Sequence, residues 1–227
     1  MHRVAAGELP ETLRVARPGA MVAFAKQDAV ARGYAKAVHA ARAGGFEAVL
    51  RLAGGRAAVF HEGTIALAHA VPHPDPRAGI HSRFEWTAGL LARALRRVGI
   101  DARVGEVPGE YCPGGYSVNA RGAVKLAGIG QRIIAGGSHL GGVIVVAGAA
   151  RVRDVLVPVY EALGLAWDPS TVGAVADERD GAAPATWTAV KDALLAEYAR
   201  EYELVEAELD PETIALARRL APEHRPG

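Results

Sequence analysis

The side chain best suited to covalent chemistry is Cys112, the only cysteine in the chain, which lies in the segment EYCPGGY at residues 110–116. Thirteen residues later, Lys125 stands in a glycine-rich stretch that predicts a strand. The chain has only four lysines against 22 arginines, so a lysine at this position is unusual in its background. A thiolate can carry an acyl group, and an ammonium can hold the carbonyl of that group or a phosphate. The two side chains together predict acyl chemistry.

Cys112 has two interpretations on its residues alone. The proline and glycines around it predict a loop at 108–115, where a side chain reaches solvent and substrate. Gly114 permits a tight turn and close backbone approach, and free amides in such a turn can hold an oxyanion. The alternative is a small buried hydrophobe, which is the commoner fate of a single cysteine.

Lys125 likewise has a functional and a structural interpretation. The stretch from residue 116 to 126 predicts a hairpin, in which alternate residues face the core side of the sheet. On that side Lys125 would face a pocket and polarise a carbonyl or neutralise a phosphate. On the other side it would be an ordinary solvated strand lysine.

The segment from Arg51 to His61 is the third candidate, because it carries Gly54 and Gly55 between two predicted strands. A Gly-Gly pair lets a ligand lie against the backbone. Arg51 and Arg56 could each pair with a carboxylate or a phosphate. No Gly-Lys-Ser/Thr follows, so the segment is not a Walker-type phosphate loop. The alternative is a β-turn with surface arginines.

The remaining histidines do not predict a metal site. The spacing of His61, His69, His73 and His81 matches no zinc pattern, and no carboxylate cluster joins them. His139 stands beside glycines and is predicted to be a turn residue.

Composition limits the class of protein and of partner. A chain of 227 residues suits one domain over 1–227, and it can bury roughly 70% of its unfolded surface without a disulfide or metal. The 26 Lys+Arg against 25 Asp+Glu give no electrostatic case for nucleic acid or an acidic membrane. A free thiol fits a reducing compartment. The N-terminus lacks a signal-peptide core, and the most apolar stretch, 141–150, is too short to span a bilayer. These features predict a cytoplasmic protein with no nucleic-acid or membrane partner.

Strand patterns dominate the middle of the chain and helical patterns its end, which predicts an α+β fold. Residues 1–20 are predicted to be an irregular lead-in, and Ser82 with Glu85 predicts the start of a helix. The C-terminal segment 184–227 is predicted to be helical, with a long helix over 186–206 and a short one over 211–220. Four glutamates are expected on the solvated face of this segment: Glu197, Glu201, Glu206 and Glu208.

Taken together, these segments resemble the lipoate-attachment superfamily, which comprises lipoate–protein ligases, octanoyl transferases and the related biotin ligase catalytic domains. Residues 51–61 resemble its first motif, with an arginine at the start, paired glycines and a β-run. Residues 124–131 resemble its lysine motif. The YCPG sequence at 111–114 resembles one branch, the octanoyl transferases in which a loop cysteine becomes acylated. The resemblance covers about residues 20–220.

The resemblance implies a fold and a set of roles. The fold is a mixed, largely antiparallel sheet with packed helices and an acyl-chain tunnel. Cys112 would be the nucleophile and Lys125 the carbonyl-binding cation. The substrate-binding residues would be Arg51, Gly54, Gly55, Arg56, His61, Gly114, Gly128 and Gln131. His61 stands one residue further along than the ligases' histidine, a shift that turns a strand side chain to the opposite face.

Three functions follow from the resemblance. The first is an acyltransferase that moves an octanoyl or lipoyl group onto a lysine of a lipoyl-domain protein through an acyl-thioester on Cys112, with no cofactor required. Its partners would be glycine cleavage H protein or dehydrogenase E2 subunits. The second is an ATP- and Mg²⁺-dependent lipoate–protein ligase, in which Cys112 is incidental and Lys125 and Arg56 face the adenylate phosphate. The third is a catalytically silent protein that binds a lipoyl domain or an acyl ligand.

Overall fold

The computed structural model describes residues 1–179, 183 and 185–226. Its strands are β1 (Thr12–Ala16), β2 (Met21–Phe24), β3 (Glu47–Leu50), β4 (Ala58–Phe60), β5 (Thr64–Pro72), β6 (Ala102–Val104), β7 (Val118–Ala120), β8 (Val124–Ile134) and β9 (Gly137–Val145). Its α-helices are α1 (His2–Ala5), α2 (Lys26–Ala29), α3 (Tyr34–Ala43), α4 (Ile80–Arg97), α5 (Ala149–Leu163), α6 (Trp187–Tyr198) and α7 (Pro211–Leu220).

The strands form two sheets. The larger sheet has the order β1-β5-β9-β8-β7-β6, and every neighbouring pair in it is antiparallel. The smaller sheet has the order β3-β2-β4, with β2 parallel to β3 and antiparallel to β4. The predicted α+β fold with a mixed, largely antiparallel sheet is therefore confirmed.

Each sheet packs against its own helices and buries its own apolar cluster. Leu90, Leu91 and Leu95 of α4 and Leu194 of α6 pack with residues of the larger sheet such as Leu126. Leu90, Leu91 and Leu95 recur at helical spacing, so one face of α4 is apolar. The smaller sheet packs on α3 and α5. The fold thus presents two sheets to one another, each supported from behind by helices.

The hairpin from β8 to β9 forms one wall of the cavity that holds the candidate site. β8 runs unbroken through Gly128 and Gly130, because both glycines lie in the continuous ladder with β9. Gly130 pairs with Gly141, and Gly128 pairs with Val143. Antiparallel partners share a face of the sheet, so the three glycines form a strip without side chains. A Cβ at Gly130 would lie 3.2 Å from Ala53, so the strip lets that segment approach closely.

Two predictions about the chain ends are wrong. Residues 1–20 are not an irregular lead-in, because α1 and the edge strand β1 lie within them. The helix predicted over 186–206 begins as expected, with Thr186 as N-cap accepting from the amide of Ala189, but α6 ends at Tyr198. Residues 184 and 227, the bounds of the predicted C-terminal helical segment, lie outside the described residues. The short helix over 211–220 is confirmed.

The placement of Glu197 also differs from the prediction. Its carboxylate is 1% exposed and is paired with Arg93, Arg97 and Arg200, so it is not on a solvated face. The helix predicted from Ser82 begins two residues earlier, at Ile80. Within the described residues, every helix is too short or too polar to cross a bilayer.

Candidate active site

A cavity of about 1080 Å³ is lined by residues of both sheets and by the loops that follow β3 and precede β7. Most ligand pockets have volumes of roughly 300–1,000 Å³, so this cavity has room for a small molecule. Part of its wall is apolar and comes from Met21, Ala23, Ala58, Phe60, Leu67 and Val143. The glycine strip of Gly128, Gly130 and Gly141 adds a flat surface. This wall fits an extended aliphatic chain.

Cys112 lines this cavity from the loop before β7 and is half-buried, so the predicted loop is confirmed and the cysteine is not a fully buried hydrophobe. Its φ of +45° lies in the left-handed region, which costs a non-glycine residue of order 1–3 kcal/mol. Two hydrogen bonds hold this conformation. The Cys112 amide donates to the Tyr160 hydroxyl at 2.8 Å, and the Cys112 carbonyl accepts from Lys125 Nζ at 2.8 Å.

Tyr160 ties the cysteine to the opposite segment of chain. Its hydroxyl donates to the carbonyl of Ala57 at 3.0 Å while it accepts from Cys112. Burial, together with the neighbouring Cys112, raises the pKa of Tyr160, so the hydroxyl keeps the proton that it donates. The loop is therefore fixed from α5 as well as from β8.

The thiol lies beside two nitrogen donors. The amide of Arg56 donates to Sγ at 3.2 Å, and Nη2 of Arg51 donates to Sγ at 3.5 Å. Nη2 of Arg51 also donates to the carbonyl of Arg56 at 2.7 Å, which holds the guanidinium in place. Neither of these two donors to Sγ is a histidine. These two contacts fix where the sulfur stands at the cavity wall.

Gly55 is what allows the thiol to approach this segment. A Cβ at residue 55 would lie 2.8 Å from Cys112 Sγ and 2.7 Å from Arg51 Nη2, closer than any real contact. Gly55 also has φ of +95°, which disfavours a larger residue. Gly54 lines the cavity, but a Cβ there would meet no atom within 4 Å.

Lys125 is 2% exposed, so the alternative of a solvated strand lysine is wrong. Its Nζ donates to Glu110 Oε1 at 2.9 Å and to the carbonyls of Tyr111 at 3.0 Å and Cys112 at 2.8 Å. These three acceptors engage all three ammonium protons. Gly128 makes room for this arrangement, since a Cβ there would lie 3.3 Å from Lys125 Cε.

The other predicted substrate-binding residues fall into two groups. Gly114 and Gln131 line the cavity. The Gln131 side chain accepts from Arg83 Nε at 3.0 Å and donates to the carbonyl of Ile80 at 3.3 Å, so it fastens the start of α4 to β8. Arg56 contributes its amide to the thiol, but its guanidinium is turned to Asp28, 3.3 Å away.

His61, like Arg56, is a predicted residue that does not line the cavity. It is 3% exposed in the turn after β4, and its Nδ1 accepts from the amide of Gly63 at 3.0 Å. Burial lowers its pKa, and the nearby Arg151 adds to the effect. Its ring therefore supports the turn into β5.

The histidines otherwise behave as side chains of the fold. Within the described residues, no cluster of three His, Cys, Asp or Glu side chains could hold a metal ion. His139 is not a turn residue as predicted, because it lies within β9, where it lines the cavity. Burial, and the nearby N-terminal amine and His69, lower its pKa to about 4. His139 is thus neutral at pH 7.

Two residues of the site were missed by sequence reasoning. Glu110 is a buried carboxylate two residues before the cysteine, and Tyr160 lies 48 residues after it. A carboxylate in a loop of glycines and prolines was the one signal available for Glu110. Nothing in the sequence of α5 distinguishes Tyr160 from a core tyrosine.

The family model described as the lipoyl protein ligase A/B catalytic domain matches residues 1–199. An octanoyl-[GcvH]:protein N-octanoyltransferase of Geobacillus kaustophilus is 31% identical over 129 residues, which are 57% of this chain and 45% of that protein. The protein with the same description from Exiguobacterium sibiricum is 34% identical over 123 residues, 53% of this chain and 44% of its own length. The matches thus span about half the length of these curated relatives.

Solved structures share the fold at low identity. A putative lipoate protein ligase from Thermoplasma acidophilum with bound lipoic acid superposes with a TM-score of 0.72 and 18% identity, covering 94% of this chain and 82% of that one. A lipoate-protein ligase A bound with ATP gives a TM-score of 0.74 and 16% identity, covering 98% and 87%. At these identities the likeness concerns the fold alone.

Proposed function

The chain belongs to the family of lipoyl protein ligase A/B catalytic domains, and from this premise we propose that it is an acyltransferase. It moves an octanoyl, or a lipoyl, group onto a lysine of a lipoyl-domain protein through an acyl-thioester on Cys112. The description of its curated relatives as octanoyl-[GcvH]:protein N-octanoyltransferases supports the reaction class.

The observation that carries the proposal is the position of the thiol. Cys112 Sγ lies at the wall of a largely apolar cavity, 3.2 Å from the amide of Arg56 and 3.5 Å from the Arg51 guanidinium. An acyl chain in the cavity would bring its carbonyl carbon to this sulfur. At roughly 0.8 kcal/mol per buried CH₂, an octanoyl tail supplies several kcal/mol of gross binding.

The first half-reaction acylates the cysteine. The thiolate of Cys112 attacks the carbonyl carbon of an octanoyl amide or thioester on the donor, a C–S bond forms, and the bond from carbon to the leaving nitrogen or sulfur breaks. The leaving group takes up the proton that the thiol lost. Donors at the site, among them Arg51 and the amide of Arg56, stabilise the oxyanion, a contribution commonly worth about 100-fold or more per donor.

The second half-reaction transfers the acyl group. The neutral ε-amine of the acceptor lysine attacks the thioester, a C–N bond forms, and the C–S bond breaks. The Cys112 thiolate is released, and the amine's extra proton passes to it or to solvent. Lys125, bonded to the Cys112 carbonyl, stands beside the acylated residue as the cation of the site. No metal or cofactor is required for either half.

The partners follow from the relatives. Their description gives octanoyl-[GcvH], so we propose an octanoylated glycine cleavage H protein as one partner. One structural neighbour is described as a bipartite lipoate protein ligase with its E2 lipoyl domain, which makes dehydrogenase E2 subunits the second class. We propose a cytoplasmic location, which the free thiol of Cys112 suits.

The ATP-dependent ligase has less support in the geometry. In that function Arg56 would face the adenylate phosphate, whereas its guanidinium pairs with the fully buried Asp28. The Cys112 thiol lines the cavity, and a ligase reaction has no use for it. The test of the proposed function therefore includes reactions with free lipoate, ATP and Mg²⁺.

The test is intact-mass analysis after incubation with octanoylated H protein, without ATP. We expect the wild-type protein to gain one octanoyl group on Cys112 as a hydroxylamine-sensitive thioester, and an unmodified lipoyl domain then to gain the group on lysine. Cys112→Ala should form no adduct and no product. Lipoylation of the domain from free lipoate, dependent on ATP and Mg²⁺ and retained in Cys112→Ala, would establish the ligase instead. Absence of adduct and product in all arms would leave a silent binding protein.

A further inference from the structure

Glu110 is a buried carboxylate with no assigned role in this chemistry. It is 3% exposed, and its two oxygens accept hydrogen bonds from four donors. Oε2 accepts from the amide of Val107 at 3.1 Å. Oε1 accepts from Lys125 Nζ at 2.9 Å, from the amide of Gly114 at 3.2 Å and from the hydroxyl of Ser117. One side chain therefore connects both ends of the loop that carries Cys112 (residues 107–117, the cysteine loop) and joins that loop to β8.

The ion pair between Glu110 and Lys125 is closed to water. The side chains of Lys125 and Glu110 are 2% and 0% exposed. The remaining two protons of the Lys125 ammonium go to the carbonyls of Tyr111 and Cys112. A lysine alone in such a place would be an uncompensated buried charge, so the carboxylate fixes where Nζ can stand.

The position of Nζ in turn fixes the peptide of Cys112. This residue has φ of +45°, and its carbonyl is held by Nζ at 2.8 Å. A relaxed loop would leave the left-handed region, which a cysteine rarely adopts. The thiol would then move from its two donors on the Arg51–Arg56 segment.

We propose that Glu110 is a positioning residue for the acyl transfer, an inference that builds on the proposed function. It acts through Lys125 and through the amides of its own loop, and it holds the Cys112 thiol against its donors at the cavity wall. It touches no substrate. Its removal therefore lowers the rate of the chemical step and leaves binding of the acyl group unchanged.

The test compares Glu110→Gln with Glu106→Gln, an exposed glutamate four residues earlier on the same approach to the loop. Thermal unfolding first establishes that both variants fold. For Glu110→Gln we expect faster amide hydrogen exchange in the peptides covering residues 107–117. Its acylation rate at saturating octanoyl donor should fall about 10- to 100-fold, because a misplaced thiol misses the attack geometry. The donor concentration for half-saturation should stay within about two-fold of the wild-type value. Glu106→Gln should match the wild type in all three.

Two results would overturn the proposal. One is a folded Glu110→Gln protein with unchanged exchange and an unchanged acylation rate. The other is a rise in half-saturating donor concentration alone, which would mean that Glu110 contacts the substrate. If Glu110→Gln does not fold, Ser117→Ala, which removes one of the four donors and keeps the ion pair, takes its place. For Ser117→Ala we then expect faster exchange in the same peptides and an acylation rate lowered about three-fold, with half-saturation unchanged. A wild-type rate together with wild-type exchange would overturn the proposal.

The outcome remains separable from that of the proposed function. Failure of the wild-type protein to form an acyl adduct would contradict the transferase. Hydrogen exchange needs no acyl transfer, so it still decides whether Glu110 holds the loop.

Discussion

At the scale of single residues, Gly55 sets how closely the thiol can approach the segment that supplies its donors. The Cβ of an alanine at 55 would stand 2.8 Å from Cys112 Sγ, and φ of +95° would strain it further. Either the sulfur or the Arg51 guanidinium must move. We expect Gly55→Ala to lower the rate of acyl-enzyme formation by about 100-fold, since a displacement near 1 Å has effects of that size.

Gly115→Ala is the matched control for that substitution. Gly115 lies in the cysteine loop at negative φ, and a Cβ there meets nothing within 4 Å. The measurement is the rate of appearance of the octanoyl adduct by mass spectrometry, with circular dichroism to verify the fold. A Gly55→Ala protein that acylates as fast as Gly115→Ala would contradict the role given to Gly55.

The sequence predicts the cysteine and the lysine of the candidate site but not the residues that support them. Cys112 and Lys125 stand out because one is unique and the other is rare in the chain. Glu110 and Tyr160 matter through the atoms they contact, and those contacts exist only in the folded chain. Arg56 shows the same limit in reverse. The residue type predicts a charge in the site, whereas its backbone amide contacts the thiol and its guanidinium is turned to Asp28.

At the scale of elements, the buried Glu197 joins α6 to α4. Burial alone would raise its pKa, but hydrogen bonds from Arg93 and Arg97 and the charge of Arg200 lower it to about 2, against an ordinary value of 4.5. A group with a lowered pKa in the folded state stabilises that state when it is ionised. The arginine side chains are 38%, 49% and 59% exposed, so water screens much of this effect.

The expected result is a stability difference that depends on pH. At pH 7 Glu197→Gln should lose about 1–2 kcal/mol of unfolding free energy relative to wild type. The difference should shrink as pH falls from about 4.5 to about 2, because the wild-type carboxylate then becomes protonated. Urea unfolding at a series of pH values measures it, with Glu203→Gln, an exposed glutamate, as the control. A difference that stays constant over this range would contradict the ion-pair origin.

The helix that ends early shows why element boundaries escape sequence reasoning. Residues 199–206 continue the composition of α6, but Leu204 and Val205 are 40% and 81% exposed. These apolar side chains have no core to pack against, and packing rather than propensity supplies most helix stability. The strand β1 was missed for a related reason, because its pairing partner β5 lies some 50 residues away.

At the scale of the whole molecule, both ends of the described chain border the cavity. Met1 and His2 line it, as do Leu220, Glu223 and His224. The ring of His224 contacts the carbonyl of Leu50 at 2.7 Å, next to the loop that carries the glycine pair. No local pattern in the sequence predicts a contact across 174 residues.

The C-terminal segment from Asp210 onward is held to the fold by polar contacts. Helix α7 has no buried residue. Arg3 pairs with Asp210 and with Glu212 and donates to the hydroxyl of Thr213. These pairs reach solvent through their carboxylates, and surface ion pairs contribute about 0–1 kcal/mol each. The segment should therefore add to the cavity wall more than it adds to stability.

A chain that ends at Leu209 tests this division. Its unfolding should remain cooperative, with a midpoint lowered by about 2–6 °C, since 1 kcal/mol corresponds to 2–4 °C at this size. Loss of the apolar contact from Leu220 should raise the octanoyl-donor concentration for half-saturation about 3- to 10-fold. Full-length His224→Ala separates the bond to Leu50 from the rest of the segment, and it should change half-saturation less than the truncation does. A truncated protein that fails to fold would show that these residues support the core. One that saturates at the wild-type donor concentration would show that they do not contribute to acyl binding.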